Sequence, residues 1–324
     1  MGSARWLGAL LGLVVALVAC LAHGQAFPSK PLKLVVPFPP GGASDVQGRI
    51  VAQHLGAALG QPVIVENKSG AGSALGAEMV AKSAPDGYTL LLGSPSTFTI
   101  NPVLNPKLPY DPLKSFAPVS MVTTIAMVLV AHPSVQATNF GELKALVGPK
   151  PGQYTFGSFG NGSSAHFAGE LLNSMAGIKM THVPYKGSAP AMNDLIGGQI
   201  QLLIDTVVAA QPQLKAGRIK AIAVTTSARS GAMPDVPTIA ESGLPSYHFQ
   251  TWNALVAPAG TPEAARTRLR SEMSKLLDSS SVREKLQQLG FEPFNAGPDE
   301  YVRIVREEIE RFSRVAREAN IHSD

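Results

Sequence analysis

The chain has 324 residues, which is long for a single hydrophobic core and suits two domains of about 100 to 150 residues each. Hydrophobic residues make up 45% of the sequence, enough for a well-packed globular protein. The formal net charge of +4 comes from dispersed lysines and arginines without a run of like charges, and aromatic residues are few. We therefore predict no nucleic-acid partner.

Residues 1–26 have the pattern of an export signal. Arg5 precedes an apolar run over residues 6–22 that is too short to cross a bilayer with polar margins. Cleavage after Ala26 would release a soluble protein, whereas the sequence around Cys20 resembles a lipoprotein box in which this cysteine is acylated. Both alternatives place the folded protein outside the cytoplasm. Cys20 is the single cysteine of the sequence, so its removal would leave no disulfide or thiolate site.

From Leu32 onward, short apolar runs alternate with helical stretches, which is typical of an α/β sheet with crossover helices. The first array is predicted as strand 33–36, helix 45–59, strand 62–66, helix 73–83 and strand 89–92. The proline-rich region 101–119 predicts an irregular excursion before a long strand at 125–131.

A second array follows, predicted as helix 140–147, strand 154–158, helix 164–175, strand 180–183, helix 189–196, strand 201–204, helix 208–216 and strand 219–225. Strand 251–256 then precedes three helices, and the last, 298–319, has an apolar stripe of Tyr301, Ile304, Val305, Ile309, Phe312 and Val315. Two arrays predict two domains joined by two hinge strands. We assign residues 27–128 and 250–324 to domain 1 and residues 129–249 to domain 2.

The turn after the first strand is the first candidate site, and it contains Phe38, Gly41, Gly42, Ala43, Ser44 and Asp45. Prolines stiffen the approach to this turn, glycines permit positive φ, and Ser44 or Asp45 can cap the next helix. A helix N-terminus reached through glycine presents free N–H groups and the positive end of the helix dipole, which suits a carboxylate or phosphate. The alternative is an ordinary strand-to-helix turn.

The turn after the second strand, residues 67–76, has a G-x-G-x-x-x-G pattern that invites a dinucleotide interpretation. However, the pattern does not follow the first strand of the array, and no acidic residue ends the next strand. We predict no cofactor, and this turn is either an ordinary helix start or one wall of an anion cleft.

The second array repeats the order of strand, glycine, hydroxyl and helix, with candidate residues Gly160, Asn161, Ser163, Ser164 and His166. A secreted α/β hydrolase or transferase would use Ser163 or Ser164 as its nucleophile. The chain lacks a G-x-S-x-G elbow, and a serine and a histidine on one helical turn form a poor nucleophile–base pair. The other hypothesis is a second set of N–H and O–H donors that faces the first set across a cleft.

Polar residues also end other predicted strands, at the edge where α/β sheets bind ligands. Ser94 and Thr97 follow the third strand, and Asp205 ends another strand, where it either caps the next helix or meets a cationic group. Lys186 either pairs with a ligand carboxylate or is a solvated loop lysine. The histidines lack metal-ligand spacing, so we predict no metal site.

Six stretches of the sequence together strongly resemble the Bug family, the TctC-like extracytoplasmic solute receptors of tripartite tricarboxylate transporters. The match spans essentially the whole chain after the signal, in the expected order, and the stretches that carry it are Val35–Gly42, Asn67–Gly72, Ala84–Leu91, Ser158–Ser164, His182–Gly187 and Asp235–Glu241.

The resemblance implies a two-domain periplasmic-binding-protein fold that closes like a flytrap, and a protein that is not an enzyme. It further implies that the 38–45 and 160–164 loops hold one carboxylate of a di- or tricarboxylate, an acidic amino acid or an aromatic acid. A monomeric periplasmic receptor would deliver this ligand to the membrane subunits of a transporter. A sensor for a membrane signalling partner remains an alternative.

Overall fold

The computed structural model describes residues 27–318 and residue 321. The predicted export signal and Cys20 lie outside the described residues. Within them, no helix combines the length and apolar character needed to cross a membrane.

The strands are, in chain order, β1 (Leu32–Val36), β2 (Val63–Asn67), β3 (Thr89–Gly93), β4 (Phe116–Ala131), β5 (Thr155–Ser158), β6 (Thr181–Pro184), β7 (Leu202–Thr206), β8 (Lys220–Val224), β9 (Gln250–Pro258) and β10 (Phe291–Ala296). The helices are α1 (Ala43–Leu59), α2 (Ala74–Ala81), α3 (Asn101–Leu104), α4 (Phe140–Val147), α5 (Ser164–Ala176), α6 (Ser188–Ile196), α7 (Val207–Lys215), α8 (Glu263–Asp278), α9 (Ser280–Gln288) and α10 (Pro298–Glu318). A short 3-10 turn at Ala71–Ser73 and a π-helical turn at Ser96–Ile100 precede α2 and α3.

The described strands form one curled, mixed sheet with the main order β2-β1-β3-β9-β4-β7-β5-β6, and β8 and β10 also pair with β4. Strand β4 belongs to both halves of this sheet, because residues 116–126 pair with β9 and residues 127–131 pair with β7. We call β1–β3, β9 and β10 with their helices the first lobe, and β5–β8 with theirs the second lobe. The structure is therefore the predicted α/β fold of two lobes, each a sheet flanked by helices.

Alternate residues of each central strand face opposite helical layers, as expected for a sheet that is covered on both sides. Leu34 of β1 packs in one layer with α1, α8 and α9, whereas Val35 packs on the other face with Phe98 and Tyr301. In the second lobe, Leu129 and Val130 of β4 divide in the same way between two further core clusters.

Two parts of the chain differ from the sequence prediction. Strand β4 begins at Phe116, nine residues before the predicted start at residue 125, because pairing with β9 and β10 organises the segment despite its prolines. Strand β10 separates α9 from α10 and was not predicted at all, since its sequence FEPFNA has little regular alternation. Both strands are stabilised by non-local pairing, which local sequence patterns do not report.

The predicted apolar stripe of the last helix is confirmed, and it contacts both lobes. Tyr301 and Val305 near the start of α10 are buried in a first-lobe cluster. Phe312, near its end, packs against Phe167 and Phe249 in the cluster that contains the second-lobe helix α5, with ring centroids 4.6 and 5.9 Å away. Helix α10 therefore extends across the two halves of the sheet.

Candidate functional site

A cavity lies between the two lobes, at the edge of the sheet where the parallel strands end. It contains about 580 Å³ of space without protein atoms, including the solvent at its mouth. The residues that line it are Phe38, Pro39, Pro40, Gly42, Ala43, Ser44, Ser94, Ser96, Ile125, Phe159, Ser164, Gly187, Ser188, Asp205, Thr206, Thr251 and Asn253.

Four helices begin at this cavity, one in the first lobe and three in the second. Helix α1 begins at Ala43, α5 at Ser164, α6 at Ser188 and α7 at Val207, directly after Thr206. The first N–H groups of a helix have no partner within the helix, and its N-terminus carries a partial positive charge. The cavity therefore offers convergent N–H donors and hydroxyls to a negatively charged group.

The first-lobe turn, residues 37–45, is held in shape by Asp45 from outside the cavity. The Asp45 carboxylate accepts hydrogen bonds from the Gly41 N–H at 2.9 Å and from Asn67 Nδ2 at 3.0 Å, and it forms an ion pair with Arg49. Asn67 Nδ2 also donates to the Phe38 carbonyl at 3.0 Å. Burial alone would raise the pKa of Asp45, but these partners outweigh it and lower the pKa below its ordinary value. Asp45 is thus an ionised brace.

The second-lobe turn, residues 157–164, is held by Ser163 and by two stacked histidines. Ser163 caps α5 by accepting from the His166 N–H at 3.2 Å. His166 stacks on His182 with ring centroids 4.1 Å apart, and His182 Nε2 lies 2.6 Å from Ser158 Oγ. Burial, and then the neighbouring His166, lower the pKa of His182 to about 3. This ring is therefore uncharged at neutral pH, and the histidines support the turn from behind.

The two lobes touch beside the cavity. Ser96 in the first lobe accepts a hydrogen bond from the Ser164 N–H at 2.9 Å, and the hydroxyl oxygens of these two serines lie 3.1 Å apart. A Cβ added to Gly72 would lie 2.5 Å from the Asn161 carbonyl oxygen, so the backbones of the two lobes are in close contact there. The lobes are therefore closed on each other.

The 70–73 segment of the first lobe has an unusual backbone at this contact. Four successive residues have positive φ, and two of them, Ala71 (47°) and Ser73 (88°), are not glycine. Asn101 Nδ2 donates to the Gly72 carbonyl at 2.7 Å, and Ser73 Oγ lies 2.9 Å from Thr97 Oγ1. These two hydrogen bonds, the first partly buried and the second buried, hold the strained segment against the second lobe.

Asp205 lies at the second-lobe end of the cavity and is completely buried. Its Oδ2 accepts from Ser188 Oγ at 2.6 Å, and its Oδ1 accepts from the Thr206 N–H at 2.6 Å. Burial raises the pKa of Asp205 to about 7, although these hydrogen bonds lower it in part. Asp205 is the one ionisable side chain among the described residues that line the cavity, and no lysine, arginine or histidine joins it there.

The structure brings seven of the predicted site residues to the cavity: Phe38, Gly42, Ala43, Ser44, Ser94, Ser164 and Asp205. The other seven do not line it. Gly41 and Asp45 brace the first turn, and Ser163 and His166 support the second. Thr97 is buried and forms a hydrogen bond with the Ser73 hydroxyl. Gly160 and Asn161 line an adjacent groove between the lobes, where Lys186 is exposed.

Several cavity residues were missed by sequence reasoning. Ser188 and Thr206 follow strands and begin or cap helices, so the same order of strand, small polar residue and helix could have identified them. Ser96 lies in the same hydroxyl-bearing turn after the third strand as the predicted Ser94 and Thr97, so that turn already indicated it, whereas Thr251 and Asn253 give no comparable signal. The last two lie on β9, in the floor of the cavity, where Asn253 Nδ2 donates to Gln47 Oε1 and Gln47 Nε2 donates to Thr123 Oγ1.

Comparison with known proteins identifies the family. Residues 48–321 match the family described as tripartite tricarboxylate transporter family receptor. The protein BugT of Bordetella pertussis (strain Tohama I) is 37% identical over 313 residues, which cover 96% of this chain and 96% of BugT. The predicted resemblance to Bug-family receptors is therefore confirmed.

Two solved structures from the same comparison contain bound acids. The R. palustris protein Rpa4515 with adipate is 36% identical, with a TM-score of 0.89, and the match covers 91% of this chain and 99% of that one. MatC from Rhodopseudomonas palustris with bound malate is also 36% identical, with a TM-score of 0.83 and coverage of 89% and 99%. The family and the fold are those of periplasmic solute-binding proteins and not of enzymes, as predicted.

Proposed function

This chain belongs to the tripartite tricarboxylate transporter family of receptors, and from that premise we propose that it captures a small carboxylate between its lobes and delivers it to the membrane subunits of such a transporter. It would act as a monomer outside the cytoplasm, exported by the signal in residues 1–26, with Cys20 as a possible acylation site in the lipoprotein alternative. The adipate and malate in the related structures support a carboxylate as the ligand.

The observation that carries this proposal is the convergence of four helix N-termini on a cavity whose described lining has no basic side chain. One N-terminus contributes about 0.3 to 1 kcal/mol to anion binding when exposed and up to about 2 kcal/mol when partly buried. Micromolar affinity corresponds to about 8 kcal/mol. Several N-termini with direct hydrogen bonds can therefore approach this affinity without a counter-ion, particularly once closure removes water.

We further propose that the lobes correspond to the assigned domains, with boundaries near residues 128/129 and 249/250. The change of pairing partner supports this division, because Ala126 of β4 still pairs with Gln250 whereas Met127 already pairs with Thr206. Opening and closing would then bend β4 and the chain that enters β9. Closure would bring the α1 and α5 N-termini to the same ligand carboxylate.

A thermal-shift screen with di- and tricarboxylates, acidic amino acids and aromatic acids tests this function. Ligand in large excess over its dissociation constant stabilises the folded receptor by several kcal/mol, which raises the melting temperature. Each acid should be recovered unchanged after incubation. Absence of stabilisation by every acid, or conversion of one of them, would contradict the proposal.

Graded substitution at Gly42 tests the site. Gly42 has φ −83°, so larger residues fit its backbone, and an added Cβ would lie 4.0 Å from the Ser188 Cβ. We expect Gly42→Ala to bind nearly normally and Gly42→Val to lose the ligand-induced shift, because valine extends into the cavity. If the ligand raised the melting temperature of both variants equally, the ligand would not bind next to Gly42.

A further inference from the structure

The hydrogen bond between Ser188 and Asp205 affects whether the second-lobe end of the cavity can donate a hydrogen bond to a ligand. A serine hydroxyl has one proton to donate and can accept through its lone pairs. When Asp205 is ionised, Ser188 donates that proton to Oδ2 and presents only lone pairs to the cavity. When Asp205 carries a proton on Oδ2, it donates to Ser188 Oγ, and the Ser188 proton becomes free to point at a ligand.

The other oxygen of Asp205 is not available for this exchange. Oδ1 accepts from the Thr206 N–H, which is always a donor, so Oδ1 remains an acceptor in both states. The added proton therefore belongs on Oδ2, next to Ser188. The protonation of Asp205 thus decides whether Ser188 accepts hydrogen bonds from a ligand or donates one to it.

We propose that Asp205 is a positioning residue that acts through Ser188, so that a dicarboxylate binds together with one proton. This inference rests on the proposed function. One ligand carboxylate lies at the α1 and α5 N-termini, and the second lies at Ser188. Asp205 takes one proton from solvent on Oδ2 and donates it in a hydrogen bond to Ser188 Oγ. The Ser188 O–H keeps its own proton and turns from Asp205 to donate to the second carboxylate. The cavity thereby selects small dicarboxylates over monocarboxylates without a basic side chain.

The surroundings of Asp205 favour this proton uptake, because no cation keeps the carboxyl ionised. On the helices packed against β7, the charged or titratable groups are Asp194 of α6, which accepts from Tyr185, Lys215 at the opposite end of α7, and His166 and Glu170 of α5. None of them is a cause of the shifted pKa of Asp205, which reflects burial and the hydrogen bonds from Ser188 and Thr206. Its partner on β4 is the apolar Val128. The charged Asp45 of the first-lobe turn is paired with Arg49 outside the cavity. A second carboxylate at Ser188 would disfavour ionisation of Asp205 further.

The sign of the pH dependence follows from burial of Asp205, which raises its pKa to about 7 in the free receptor. Below that pH the free receptor already carries the proton, so dicarboxylate affinity should be nearly independent of pH. Above it, the proton must be taken up during binding, and affinity should fall by up to about tenfold per pH unit. A monocarboxylate held only at α1 and α5 should show no such slope.

Isothermal titration calorimetry at about pH 8, in triethanolamine and in Tris buffer, measures the proton directly, because these two amine buffers differ in ionisation enthalpy and neither is an anion that competes at helix N-termini. The probes are succinate, L-malate and adipate, with butyrate as the monocarboxylate control. For wild type, the apparent enthalpy of dicarboxylate binding should differ between the buffers by the difference in their ionisation enthalpies, multiplied by about one proton. Asp205→Asn should lose the pH slope and the difference between the buffers, because its amide donates to Ser188 at every pH. Asp235→Asn, at an exposed position, should behave as wild type.

The possible failures are distinguishable. If dicarboxylates bind with the same enthalpy in both buffers, or if Asp205→Asn keeps the wild-type pH slope, the proton inference is wrong while the receptor function stands. Tighter binding of acids that carry an ammonium group, without proton uptake, would likewise overturn it. If no carboxylate binds, both proposals fail. Should Asp205→Asn not fold, the two-buffer comparison on wild type decides the question alone.

Discussion

Asp45 and Asp205 both lie near a junction of strand and helix beside the cavity, one in each lobe, yet their pKa values are shifted in opposite directions. Asp45 has a cation, an amide and a backbone N–H as partners, so its pKa is lowered and its charge is permanent. Asp205 has hydroxyls and a backbone N–H but no cation, so burial raises its pKa to about 7. Arg49, outside the cavity, keeps Asp45 ionised, so this carboxylate can brace the turn. No cation stands beside Asp205 inside the cavity, so this carboxyl group can titrate.

The largest effect should come from breaking the brace. Asp45→Ala removes the acceptor of the Gly41 N–H and of Asn67, and we expect unfolding free energy to fall by about 2 to 3 kcal/mol in urea titrations. Arg49→Ala is the matched variant and should lower the unfolding free energy clearly less than Asp45→Ala, because this arginine is mostly exposed and its charge is screened by solvent. Equal losses would show that the ion pair, and not the carboxylate, holds the turn.

The comparison of the two turns assumes that they meet in the closed state, and Gly72→Ala tests this. Its Cβ would lie 2.5 Å from the Asn161 carbonyl oxygen, outside the cavity, so the lobes should no longer close fully. We expect about 10- to 100-fold weaker ligand binding by calorimetry, with a folded protein. Gly60→Ala is the control for backbone strain, since Gly60 also has positive φ (68°) but has no neighbour within 4 Å. Equal affinities of the two variants would refute the closure contact.

The neutral support of the second turn predicts a pH effect on stability. The pKa of His182 is lowered to about 3 in the folded protein, below about 6.5 when unfolded, so the unfolded chain binds more protons between these values. Its stabilising contribution should be complete above about pH 6.5 and lost as pH falls toward 3. The free energy of unfolding of His182→Gln, measured in urea from pH 7 to 4, should depend less on pH than that of wild type. Parallel curves would contradict a neutral His182.

The smallest effect should come from Lys186, the lysine nearest in sequence to the second-lobe site. It is exposed in the groove beside the cavity and does not line the cavity. Lys186→Ala should therefore change dicarboxylate affinity by less than about twofold at moderate salt, where exposed charges are screened. A loss of tenfold or more would mean that a cation contributes to the site after all, and it would weaken the contrast between the two lobes.

Local sequence patterns were sufficient to predict the alternation of strands and helices and the turns that begin α1 and α5. These features are local: glycine permits the turn at residues 41–42, serine caps α5 at Ser163, and apolar periodicity marks the buried face of α10. Their interactions span a few residues along the chain, so they can be predicted from short stretches of sequence. Membership of a receptor family followed from several such stretches in a fixed order.

Which of these residues face the cavity depends on how the folded chain brings distant segments together. In the sequence, Asp45 and Asp205 are both aspartates next to a turn, and nothing nearby tells them apart. Their roles differ because Arg49 forms an ion pair with Asp45, whereas no basic side chain lines the cavity beside Asp205. Strand β10, the early start of β4, and the contributions of Ser96 and Asn253 depend on partners far away in sequence. Pairing between distant segments and closure of the lobes set these positions, and no local pattern encodes them.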